Sequence, residues 1–301
     1  MTSKSRWFQA VDLFYLAMML LPILALIVLE VLTNPPTTGI AISGARIYFT
    51  VPMPIQNLPV TESQVNSLAV LISVLGLCLF LTHGITGKDL LTRHHIAEFL
   101  VEKAQGLVDG NMGKYFSGFA PFIGAILILS AFSSLLSLFG LYPPTSDVNI
   151  VGGWAILVFI LITYYKAICG PVQYMKSFGD PVPFLAPLNI ISEVATPISM
   201  AFRHYGNVLS GAVISVLVAT GLQGLSSMIF GFLPGWLGEI PFLQVGLPAI
   251  LSIYFDVFSG LLQAYIFAML TMLYVSGGFP AELYEKKKMK KLSHKKLVGG
   301  N

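Results

Sequence analysis

NIISEVATPISMAFRHYGNVLSGAVISVLVATG, residues Asn189 to Gly221, is an apolar stretch with an arginine, Arg203, near its middle. As a helix it reaches about 50 Å at about 1.5 Å per residue, against a hydrocarbon core of about 30 Å. LPAILSIYFDVFSGLLQAYIFAMLTMLYV, residues Leu247 to Val275, has the same character and reaches about 43 Å. Ordinary tilts of about 20° do not absorb that excess. The two segments are therefore predicted to lie steeply inclined, as a hairpin joined through Leu222–Gly246, with Pro197 placed to kink the first. Arg203 is the costly residue. A guanidinium at the bilayer centre costs roughly 2.5–3.5 kcal/mol on insertion scales, and arginine does not escape by losing its proton. It is either paired or useful. The nearest polar groups are Asn207 and Ser210, one and two turns on, and Asp256, Ser259 and Gln263 in the second segment. They read as a polar path inside a membrane.

The surrounding chain agrees. Of its 301 residues 55% are hydrophobic and only 10% charged, with a mean hydropathy of +0.79, where soluble domains carry about 25% charged residues. Further apolar runs at Leu13–Val31, Ser67–Ile85, Phe122–Tyr142 and Trp154–Cys169 bring the expected total to six spans of an all-α integral membrane protein. Lys and Arg collect in alternate connections: Lys4 and Arg6, then Lys88, Arg93, Lys103 and Lys114, then Lys166 and Lys176, then the lysines from Lys286 to Lys296. The other connections hold only Arg46. The positive-inside rule then predicts a cell-membrane protein with both termini cytoplasmic. The first run also fits a signal peptide, but its length, the central Pro22 and the lack of a small-residue cleavage site favour an anchor.

The chain divides on paper into 1–66, an N-terminal span with an external loop; 67–279, the main membrane domain; and 280–301, a basic tail attracted to anionic lipid. Asn34–Asn66, with Val51–Pro54 and Pro59, reads as an extended surface loop. In Gly87–Phe119, Leu90, Leu91, Ile96, Phe99, Leu100 and Leu107 recur near helical spacing. That predicts an amphipathic helix on the cytoplasmic membrane surface, with Arg93, His94, Glu98, Glu102 and Lys103 as its solvated face. His94, His95 and Glu98 do not converge as a metal set. Cys78 and Cys169 read as small buried hydrophobes. No nucleophile, metal or nucleotide motif is present, so no catalytic residue, cofactor, metal or nucleic-acid partner is expected. Small residues recur four apart: Gly206 with Ser210, Gly211 with Ser215, and Gly260 with Ala264 and Ala268. Such faces either pack the chain on itself or receive another subunit's helix.

PISMAFRHYGNVLSG, Pro197 to Gly211, resembles the signature of subunit a of F-type ATP synthases, in which an essential arginine precedes a Gly-Asn pair, here Gly206-Asn207. GLLQAYIFAMLTMLY, Gly260 to Tyr274, is similar to that family's last helix, and PPTSDVN, Pro143 to Asn149, to its outward loop. The resemblance covers roughly Asn66 to Val275. It implies that Arg203 faces the ion-binding carboxylates of a rotating c-ring, with Gln263 opposite it. It also implies that H⁺ or Na⁺ flow through two half-channels is coupled to ring rotation and ATP synthesis, with catalysis elsewhere in a complex that includes peripheral-stalk b subunits and an F1 sector. Three departures stand out. His204-Tyr205 replaces the usual Leu-Phe, Ala212 replaces an acidic or histidine group, and Asp256 stands where others place histidine or glutamate. The access half-channel is accordingly expected to lean on Asp256, with His204 as a helper. The first span is extra relative to many members.

Several residues keep two readings. Asp256 is either a path carboxylate or one satisfied by Ser252 or Ser259. Asp147 belongs to the path or caps the fourth span. Glu193 reads as a half-channel or interface residue. Arg203 itself would also suit a stand-alone transporter that binds a substrate anion, although the internal repeat common in transporters is absent.

Overall fold

The computed structural model describes residues 3–33, 44–54, 56–85, 92–168, 174–176, 178–179, 182–230 and 246–279. A backbone in hydrocarbon has no water to bond, so apolar runs close into helices that satisfy their own amides. In chain order these are α1 (Ser3–Thr33), α2 (Glu62–Thr82), α3 (Thr92–Met112), α4 (Ala120–Leu135), α5 (Val148–Ala167), α6 (Ala186–Phe230), α7 (Leu247–Ser252) and α8 (Gly260–Gly277). A π-helical segment, Ile253–Ser259, joins α7 to α8. Six helical stretches among the described residues are long and apolar enough to cross a membrane. The protein is an all-α, multi-pass membrane protein.

The boundaries move outward from the apolar runs because polar caps carry the helices further. The second span starts at Glu62 rather than Ser67, where the Thr61 amide donates to Gln64 Oε1 at 3.2 Å. The fourth starts at Val148 rather than Trp154, capped by Asp147, whose side chain accepts from the Asn149 amide at 2.9 Å. The fifth runs through Pro197 to Phe230, 45 residues, or about 68 Å.

The expected loop Asn34–Asn66 contains a β-hairpin instead. β1 (Ile47–Val51) pairs antiparallel with β2 (Leu58–Thr61), and the Glu62 amide closes it onto the Arg46 carbonyl at 2.7 Å. β-branched residues on both strands favour the pairing. Of the two cysteines, Cys78 is exposed rather than buried, lining a cleft between α2, α3 and α4, and Cys169 lies outside the described residues. The basic tail and 231–245 lie outside them as well.

The main core joins α3, α4, α5, α6 and α8 through Val108, Ile123, Val158, Met200, Phe267 and Met272. A second cluster, with Leu26, Val70 and Leu136, seats α1 and α2 on the end of the α4 span. Lipid is as apolar as leucine, so these contacts hold through close packing rather than water exclusion. Glycines mark the closest approaches. A Cβ on Gly76 would stand 2.7 Å from the Met19 backbone of α1, and one on Gly260 would stand 2.7 Å from Ser134 Cβ of α4. Ala264 and Ala268 are buried on the same side of α8. That small-residue stripe therefore packs the chain on itself, whereas a Cβ on Gly206 would meet nothing within 4 Å.

The polar face expected of α3 is only partly solvated. Glu98, Glu102 and Lys103 are exposed, but His94 is buried. Arg93 turns inward to pair with Asp12 of α1 at 2.9 Å, its guanidinium 5.0 Å from the Phe80 ring centre. His83 Nδ1 meets the same Asp12 oxygen at 2.8 Å. Apolar surroundings make a charge seek its partner, so these side chains fold under the helix instead of facing water.

Candidate functional site

α6 and the last helical stretch run antiparallel, and two contacts set their register. Asn207 Nδ2 donates to Ser259 Oγ at 2.7 Å. One turn further along α6, Gly211 lies so close to Phe255 that an added Cβ would sit 3.0 Å from its ring. Moving one turn the other way brings Arg203 level with Gln263. The two differ in exposure: Gln263 is buried against the core, while Arg203 is exposed. No hydrogen bond or ion pair reaches Arg203 from any described residue. The polar neighbours expected to compensate it bind each other, Asn207 with Ser259, and Ser210 donates to the Asn207 carbonyl at 3.1 Å. Arg203 thus stands on an open stripe of α6 with Ser199, Phe202, Ser210, Ile214 and Leu217.

Asp256 lies elsewhere. An α-helix would place Asp256 and Gln263, seven residues apart, on one face, but the wider i→i+5 turns of the π segment rotate Asp256 away. It borders a cavity of about 490 Å³ whose polar lining includes Glu30, Arg46, Glu62, Tyr142 and Ser215. The hairpin holds Arg46 here, with Nη2 at 2.8 Å from Glu30 Oε1 and Nε at 3.6 Å from Glu62 Oε2. Burial, reinforced by the nearby Asp147 carboxylate, raises the pKa of the Tyr142 phenol above its ordinary value. Tyr142 therefore enters the wall as a neutral hydroxyl. Ser259, a proposed partner of Asp256, is engaged by Asn207, and the Ser252 side chain lies outside the described ones.

The remaining candidates are held by their own partners. His204 is fully buried, edge-on to Phe267 with ring centres 5.8 Å apart, and its Nε2 lies 3.4 Å from Ser130 Oγ. It faces the core, a helix side away from Arg203. Asp147 does more than cap α5: its other oxygen accepts from Ser63 of α2, and Asn66 donates to the Tyr142 carbonyl at 2.8 Å. Glu193 takes Lys166 Nζ at 2.7 Å on both oxygens, with Tyr174 O–H donating at 3.3 Å. That pair ties α5 to α6.

The sequence pattern of the family described as ATP synthase A chain matches residues 65–276, the stretch that carries α2 to α8. The chain belongs to this family. An ATP synthase subunit a of Priestia megaterium is 31% identical over 237 residues, covering 74% of this chain and 94% of that protein. One of Legionella pneumophila is 26% identical over 229 residues, covering 75% of this chain and 90% of that protein. One of Desulforamulus reducens is 34% identical over 182 residues, covering 60% and 64%. As a member of the ATP synthase A chain family, the protein is a membrane-sector subunit that works within the complex among other subunits.

Three site residues escaped the sequence reading. Glu30, Arg46 and Glu62 precede the matched region and are far apart in the chain, yet they share one wall of the Asp256 cavity. Their one legible signal was charge: Glu30 ends an apolar run, and Arg46 is the lone cation of its connection. A family chain with this arrangement offers two separate polar features, an open arginine on α6 and a cavity beside Asp256.

Proposed function

We propose that this subunit is the ion-translocating stator of a rotary ATP synthase, with Arg203 facing the carboxylates of a c-ring. The observation that carries this reading is Arg203, exposed on a largely apolar α6 and without a partner among the described residues. Lipid tails do not stabilise a guanidinium, whereas a carboxylate on a partner helix does. Such a carboxylate must be neutral to face lipid and charged to exchange its ion with water. Opposite Arg203 it is held as the anion and releases its ion; once past, it rebinds one before re-entering lipid. Arg203 also blocks a continuous cation path, which keeps two half-channels apart. Each ion crossing supplies about 2.3 kcal/mol per 100 mV.

In this reading Asp256 and its cavity form the half-channel open to the outside, with Asn207 and Ser210 on the approach to Arg203 and Gln263 level with it. His204 supports the helix from behind. Asp147 shapes the outward loop, and Glu193 braces α5 against α6 beside the cytoplasmic half-channel without carrying the ion. Both termini, the 280–301 tail and α3 lie on the cytoplasmic side of the cell membrane, while residues 1–66 add a span and an external segment. The length of α6 against the bilayer favours a steep incline, giving the ring a long face to turn against. Peripheral-stalk b subunits and an F1 sector complete the assembly, and the coupling ion is H⁺ or Na⁺.

The test is Arg203→Ala in membrane vesicles that carry the assembled complex. Coupled ATP synthesis is expected to vanish while passive ion conductance rises. A variant that still synthesises ATP defeats the proposal.

A further inference from the structure

The cavity beside Asp256 is not built by the family-matched region alone. Its wall takes Glu30 from the C-terminal end of α1, Arg46 from the start of the hairpin and Glu62 from the first turn of α2. All three precede residue 65, where the family match begins. We propose that Glu30 and Arg46 are positioning residues that set the negative charge Glu62 presents to cations entering this cavity. The inference rests on the reading of the cavity as the outward half-channel.

The geometry is unequal in a specific way. The Arg46 backbone is held by the Glu62 amide at 2.7 Å, so its main chain stays beside Glu62 whatever its side chain does. The side chain is drawn the other way, to Glu30 at 2.8 Å, leaving Nε 3.6 Å from Glu62. Glu62 is the buried member, its side chain 5% exposed against 39% for Arg46. Two carboxylates thus share one guanidinium, and the group carries one surplus negative charge in the lining of the cavity that Asp256 also borders. Among the described residues the other titratable groups in reach are Tyr48, Tyr142, Tyr205 and Asp147, and burial raises the phenol pKa of Tyr48 and Tyr142, so those two add no charge near neutrality. A single surplus charge in a walled cleft raises the local cation concentration. Without Glu30, Arg46 is free to close on Glu62 and the surplus disappears.

This charge count predicts a rescue that a purely structural tie would not. Glu30→Gln leaves Arg46 with Glu62, net zero. Arg46→Gln leaves two carboxylates. The double variant Glu30→Gln/Arg46→Gln leaves Glu62 alone, the same net charge as the natural protein. The experiment measures ATP synthesis by the assembled complex in vesicles at fixed membrane potential. Proton or Na⁺ activity is varied on the cavity side, and the quantity of complex is measured in parallel. Glu30→Gln is expected to raise the half-saturating cation activity by on the order of threefold to tenfold with the maximal rate retained, and the double variant to restore it.

If Glu30→Gln assembles poorly, Arg46→Gln decides: a lower half-saturating activity supports the inference, and an unchanged one overturns it. A double variant as impaired as Glu30→Gln, at equal amounts of complex, also overturns it. Arg203→Ala run alongside separates the two proposals: if that variant still synthesises ATP, the stator reading itself has failed.

Discussion

Asn207 and Ser259 exchange two hydrogen bonds across the α6 interface: Nδ2 donates to Oγ at 2.7 Å, and Oγ donates to Oδ1 at 3.1 Å. The pair sets Arg203 level with Gln263 and leaves the arginine without a partner among the described residues. The Gly206-Asn207 motif is thereby given a physical task. Asn207 fastens α6 to the last helical stretch, and Gly206, open on its outer side, leaves room beside the arginine.

The strength of that fastening is measurable. A double-mutant cycle with Asn207→Ala and Ser259→Ala is expected to return a coupling of about 0.6–1.7 kcal/mol, between the average and the maximum measured for hydrogen bonds between membrane helices. Detergent-driven unfolding of the four forms reports it. Additive single effects would mean that the pair is not coupled.

Glycine substitutions separate packing within the chain from contact with a partner. Gly260→Ala puts a Cβ 2.7 Å from Ser134 Cβ, with no flexible group to yield, and is expected to lower stability by about 1–3 kcal/mol and to reduce the amount of folded protein in the membrane. Gly206→Ala is expected to leave folding unchanged and to slow ATP-driven pumping. Normal pumping in Gly206→Ala would argue that no partner passes close to that face.

Charge alone is not expected to replace Arg203. A lysine ammonium is compact and has a shiftable pKa, whereas the guanidinium is planar and permanently charged. Arg203→Lys is expected to assemble in normal amounts and to lose coupled synthesis, read in vesicles beside an immunoblot. Retained coupling would reduce the role of the guanidinium to that of a point charge.

Asp256→Asn keeps the shape of the cavity wall and removes its carboxylate. ATP-driven ion pumping is expected to fall roughly tenfold, less than the roughly 10²–10⁴-fold general for proton-transfer groups, because Glu62 still borders the same space. Pumping at the natural rate would take Asp256 out of the path.

Glu193 and Lys166 offer a contrast. Lys166 Nζ reaches both carboxylate oxygens and its stem packs on Gly278. Glu193→Gln is expected to lower stability by roughly 1–3 kcal/mol, with coupling preserved in the complex that does assemble. If instead coupling fails while the quantity of complex holds, Glu193 belongs to the ion path.

Much of this was legible in order along the chain. The apolar runs, the arginine inside one of them and the Gly-Asn and Gln-Ala-Tyr-Ile-Phe segments determined a six-span helical membrane protein and its family, because lipid admits few backbone solutions and a guanidinium inside an apolar run is hard to explain otherwise. Helix ends were misplaced where short-range capping overrode hydropathy, as at Thr61 and Asp147. Periodicity misjudged Arg93 and His94 because it records which face is polar, not whether Asp12 waits beneath it.

The tertiary structure decided what each polar residue does. By sequence Arg203, Asn207, Ser259 and Gln263 formed one path; in the fold Asn207 spends its amide on Ser259, Gln263 is buried and Arg203 alone is left open. Asp256 shared a face with Gln263 on paper until a π-helical segment turned it toward Glu30, Arg46 and Glu62. Spacing along a helix predicts faces only while the helical period holds, and a cavity assembled from residues 30, 46, 62 and 256 has no local signature. Its charges act together because the packing brings them into one space.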